Sequence, residues 1–142
     1  MADIKLTTSQ APCVRALIKS DAGELFDYTE DLATQAELDA QGIEAAPVSY
    51  SIFKSRNAFA QYAYSSDNLV PVSGYEDVEI APVDSFYTPT EVEELSLAYN
   101  FNFVPASRAT FPFQETGFYL IKFILYPKEG AAVAFQLSIQ VV

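Results

Sequence analysis

Glu115-Thr116-Gly117-Phe118-Tyr119, running on through Leu125-Tyr126-Pro127-Lys128-Glu129-Gly130 to Val142, is the stretch whose reading decides the fold. It contains two long apolar runs joined by a tight Pro127–Gly130 turn. In the second run Val133, Phe135, Leu137, Ile139 and Val141 alternate with Ala132, Ala134, Gln136, Ser138 and Gln140. A period of two with one apolar face and one polar, uncharged face is that of a strand with one side in a core. The spacing therefore predicts a C-terminal β-hairpin over 117–142.

Working outward, the same period recurs. Leu95 to Phe103 carries large apolar side chains at odd positions and small or amide ones at even positions, which predicts a strand, followed by a crossover from Pro105 to Gln114. Ile4–Thr8, Cys13–Lys19, Val48–Phe53 and Ala58–Tyr64 predict further strands, and Glu76–Ile80 a short one among proline-rich loops. Val14, Ala16 and Ile18 share one face of the second of these, with Arg15, Leu17 and Lys19 on the other, and Cys13 is expected to be a buried thiol. Residues 24–46 break the pattern. Helix formers from Thr29 to Gln41, acids in the first turn and a closing Gly42 predict one short helix inserted between strands. The expected fold class is all-β, a single antiparallel β-sandwich domain over 1–142 with that one helical, acidic insertion.

Composition narrows what such a domain does. A chain of 142 residues can bury a core without disulfides, and Cys13, the sole cysteine, could form none within the chain. Nineteen acidic residues against eight basic ones, net −11, repel phosphate backbones and predict no nucleic-acid partner. No apolar run approaches the length of a membrane span, and Met1-Ala2-Asp3-Ile4-Lys5 has no basic or apolar leader character. The expectation is a chain made in a reducing cytoplasm, with neither signal peptide nor membrane association.

The step Glu115-x-Gly117-x-Tyr119 resembles the opening of the penultimate strand in immunoglobulin-like sandwiches, where a tyrosine hydroxyl bonds back to the preceding loop. The resemblance makes Tyr119 the corner tyrosine, with Glu115 and Gly117 as its companions, and puts Ile121 where antibody domains hold their second cysteine. With no tryptophan and no cysteine pair, only the wider sandwich group fits, over roughly the last third of the chain. A short, acidic, leaderless β-protein that begins near a strand and ends on one also resembles the small sandwich subunits of tailed-phage virions: decoration, connector and tail-associated proteins. That likeness implies a location in the virion and other virion proteins or copies of itself as partners.

Candidates for chemistry are few. With no histidine, the commonest general base and every Ser-His or Cys-His pair are gone, and the five glycines form no phosphate loop. The acids cluster at Asp27/Glu30/Asp31, Glu76/Asp77/Glu79 and Glu91/Glu93/Glu94, but none has the ligand spacing of a calcium loop. Solvated loop charge accounts for them better than a glycosidase pair does. The expectation is no enzyme, no cofactor and no metal.

The aromatic excess asks for more. Along Phe118–Tyr126 one face holds Tyr119, Ile121, Phe123 and Leu125, and the other holds Phe118, Leu120, Ile124 and Tyr126, interrupted by Lys122. A strand apolar on both faces is covered on both. The sequence leaves open whether the inserted helix or a partner supplies the second cover. The preferred expectation is a partner contacting Phe118, Leu120, Ile124 and Tyr126 of a non-enzymatic structural subunit. The alternative is a carbohydrate- or receptor-binding module using Tyr64, Tyr75 and Tyr87 on acidic loops, with or without calcium.

Overall fold

A computed structural model describes residues 3–7, 12–20, 22–104, 113 and 115–142. Its elements are β1 (Ile4–Leu6), β2 (Val14–Ala16), α1 (Gln35–Ala40), β3 (Val48–Ser55), α2 (Ala60–Ala63), a 3₁₀ turn (Ser66–Asn68), β4 (Leu69–Pro71), β5 (Val78–Glu79), α3 (Pro82–Ser85), α4 (Pro89–Glu94), β6 (Phe101–Phe103), β7 (Gly117–Leu125) and β8 (Val133–Val141). The protein is mostly β. A six-stranded sheet runs β1-β8-β7-β3-β4, with β5 also on β3, and β2 pairs with β6 in a second, two-stranded sheet.

The large sheet is built where the period-two signal is longest. Tyr119, Ile121, Phe123 and Leu125 lie in register with Ile139, Leu137, Phe135 and Val133 of β8, and Ile121, Phe123 and Leu125 with Ile52, Tyr50 and Val48 of β3. Side chains opposite each other share a face, so one apolar face is assembled across three strands. The β2–β6 pair covers that face. Phe101 meets Phe123 and Phe135 with ring centroids 5.4 and 5.7 Å away, and Phe103 meets Tyr50 at 4.8 Å.

Several expectations need correction. The strands are not all antiparallel, because β1 runs parallel to β8 with Leu6 beside Val141. Four short helices occur among the described residues rather than one. The inserted helix begins at Gln35, not near Thr29, because Thr34 and Glu37 form a reciprocal capping box. Thr29 instead donates its amide and hydroxyl to Asp27 in a local turn.

Leu95 to Phe103 is a strand only from Phe101. Thr88, Pro89 and Glu91 start α4 with a second capping box, Leu95 caps its C-terminus, and Ser96 takes φ +51°. Nor is Ala58–Tyr64 a strand; it folds back as α2. Cys13 is exposed, its thiol donating to Asn102 Oδ1 at 3.0 Å, because Val14 and Ile18 claim the inward face of β2. The end of the first expected strand at Thr8, Asp21 of the expected turn and all but Phe113 of the expected 105–114 crossover lie outside the described residues.

Candidate interaction surfaces

At the start of β7 the backbone turns through Gly117, whose φ of +145° suits glycine and few other residues. Two residues on, Tyr119 is buried, and its hydroxyl donates to the Glu115 carbonyl at 3.0 Å. Phe113 packs edge-on against its ring at 5.1 Å, and the Lys54 ammonium lies 5.7 Å from the ring centroid while pairing with the Glu115 carboxylate. Burial pushes the Tyr119 phenol up. The hydrogen bond between them raises Lys54 and lowers Glu115. These groups clamp the start of the strand.

The other face of β7 carries Phe118, Leu120, Lys122 and Ile124. Phe118 is 9% exposed and Leu120 5%, so these two expected contact residues are buried within the chain itself. The reason is the fold-back after β3. Tyr64, just past α2, sets its ring edge-on against Phe118 at 5.9 Å and donates its hydroxyl to the Ile139 carbonyl of β8 at 3.1 Å. Ala63 is fully buried beside it in sequence, and burial raises the Tyr64 phenol.

At the far end of the face, Ile124 and Tyr126 are half-buried. The inserted segment reaches the backbone of Tyr126, with Ala33 N–H donating to the Tyr126 carbonyl at 2.9 Å and Tyr126 N–H to the Pro47 carbonyl at 2.9 Å. At the Phe118 end of the face assigned to a partner, the cover is therefore Tyr64 of the same chain. The alternative set of loop tyrosines is not free either. Tyr75 is buried, Tyr64 is the cover just described, and Tyr87 packs on Tyr99 at 6.0 Å.

What stays in water is elsewhere. Phe59 is 68% and Tyr62 55% exposed, one turn apart at α2, and Leu17 is 51% exposed on the outward face of the β2 run. Next to Leu17 in that outward series, the Arg15 guanidinium sits over the Tyr99 ring, 4.7 Å from its centroid. Underneath, fully buried Asn100 braces this sheet. Its side chain accepts from Ile18 N–H at 2.8 Å and donates to the Ile18 carbonyl at 2.8 Å and the Phe26 carbonyl at 3.4 Å. Asn100 was not singled out in the sequence; an amide between Tyr99 and Phe101 in an apolar run was the available signal.

A hollow of about 520 Å³ opens where the hairpin turn meets the loop after β2, lined by Lys19, Phe26, Asp31, Lys128 and Val133 among others. Among the described residues no three potential ligands come together to hold a metal ion, and no helix is long and apolar enough to cross a membrane. No protein-family model matches the chain, and comparison with curated proteins and with solved structures returned no match.

Proposed function

We propose that this chain is a non-enzymatic structural subunit of a viral particle, an immunoglobulin-like sandwich that assembles with copies of itself or with other virion proteins. The observation that carries the assembly reading is the set of large apolar side chains left in water, Leu17, Phe59, Tyr62 and Leu95 among them. The fold supports the immunoglobulin-like part. The order β4-β3-β7-β8 opposite β2-β6 has the sequence of a C′-C-F-G sheet facing a B-E pair, and the Tyr119 hydroxyl bond falls at the F-strand corner. Polar groups inside serve architecture, as Asn100 does, and the acidic surface keeps the free subunit in solution until it assembles.

The placement in a virion rests on the resemblance alone, and the genes on either side decide it. Reading frames for capsid, portal or tail proteins beside this one are the expected result; metabolic neighbours would overturn it. A second reading, a carbohydrate- or receptor-binding module, is favoured by the hollow beside the hairpin turn, whose size falls within the range of small-ligand sites. A glycan array, together with melting in the presence and absence of calcium, tests it. A hit whose binding is lost in Lys128→Glu would move the assignment to that class.

A further inference from the structure

The outward face of the β2–β6 sheet combines three properties. Arg15 is held over Tyr99, and Tyr99 in turn packs on Tyr87, so a cation is presented on a small aromatic platform. Leu17 stands exposed on the same side of the strand run, and Asn102, opposite Arg15 in register, supplies an amide. None of these side chains is a carboxylate, although acids outnumber bases by nineteen to eight in the whole chain. Arginine and tyrosine around an apolar anchor are what the centres of protein interfaces are enriched in.

The opposite charge lies on another element. Glu76 and Glu79 are exposed around β5, on the edge of the large sheet beyond β3, and exposed Asp84 follows on α3, where it and Glu79 line one hollow with Asn102 of β6. Among the described residues the ion pairs are Lys54–Glu115 and Lys128–Glu37, which leaves these three carboxylates outside any of them. Two acidic margins repel each other, and so do two Arg15 faces. An Arg15 face against an acidic margin attracts.

The geometry points to a contact between copies of this chain, the Arg15–Leu17–Tyr99 face of one copy docking on the Glu76–Asp84 margin of the next. This rests on the structural-subunit reading and names the partner and the surface. The two surfaces adjoin at Asn102, so a pair of copies can make the contact twice about a two-fold axis and close as a dimer.

The test uses sedimentation velocity on the full chain, with circular dichroism to check that each variant is folded. Wild type should gain mass with concentration, and raising salt from about 0.05 to 0.5 M should weaken association by about ten-fold or more, since the attraction is between exposed charges. Arg15→Glu alone and Glu76→Lys/Glu79→Lys together should each abolish it. An equimolar mixture of the two variants should restore it, because every contact in the mixture again joins opposite charges. Restoration by mixing is a result that misfolding of either variant would not produce. Two results overturn the contact: a wild type that stays monomeric, or one that associates but ignores both sets of substitutions. The second leaves assembly intact through another surface, and in either case the neighbouring genes judge the structural role separately.

Discussion

In the large sheet β7 and β8 run nine residues each in continuous antiparallel register, and β3 adds eight more on the other side. In the small sheet β2 and β6 contribute three residues each. The large sheet is held by its backbone ladder and by side chains that follow from a strict alternation. The small one has too little ladder to stand alone, since a short two-stranded pair is marginal in water. It is held by side chains: Phe101 plugged among Phe86, Phe123 and Phe135, and Asn100 bridging to the loop that leaves β2. Length of pairing and quality of side-chain bracing substitute for one another.

Four substitutions test that contrast. Phe101→Ala removes a fully buried ring that ties the small sheet to the large one, and should cost about 3–5 kcal/mol in urea unfolding. A loss under about 1 kcal/mol would mean the ladder holds the small sheet after all. Asn100→Leu keeps the volume but leaves the Ile18 N–H and carbonyl without their side-chain partner, for an expected loss of about 2–4 kcal/mol. Amide exchange at Ile18 should accelerate with it, and an unchanged rate there would remove the brace from the account.

On the large sheet, Tyr119→Phe deletes one hydroxyl bond at a strand already pinned on both edges, and should cost about 1 kcal/mol by the same measurement. A loss as large as that of Asn100→Leu would erase the contrast between the two sheets. The smallest effect belongs to Glu115→Gln, at an exposed carboxylate paired with Lys54. Glu115 titrates below its ordinary range when folded, so its contribution is present above that range and is lost as the pH falls through the folded value. Melting temperature followed downward from pH 7 should therefore fall slightly less steeply in the variant. A steeper fall would reverse the assigned sign.

The parts that were legible share one physical origin. The hairpin and β3 were visible because a face buried along a whole strand forces a period of two, and one slip of register would expose all of it. Leu95–Ser96-Leu97–Ala98 has the same alternation, yet a Thr88–Glu91 capping box with Pro89 in the first turn wins locally and makes a helix just before it. Cys13 was misplaced by its residue type, where the parity of its neighbours pointed outward. Phe118 and Leu120 were correctly read as needing cover, but what covers them was not readable. Tyr64 reaches Phe118 only through a reversal of the chain after β3, and its hydrogen-bond partner Ile139 lies far away in sequence.

By itself, then, the amino-acid order determined that β3 and the β7–β8 hairpin extend and that both faces of β7 are largely apolar. Those are consequences of spacing along one strand. Only the tertiary structure decided that β1 lies parallel to β8, that Tyr64 of the same chain covers Phe118, and that Leu17, Phe59 and Tyr62 are among the large apolar side chains left exposed. Such outcomes depend on which distant segment reaches a surface first and fits it best, and spacing along a strand carries no record of that competition.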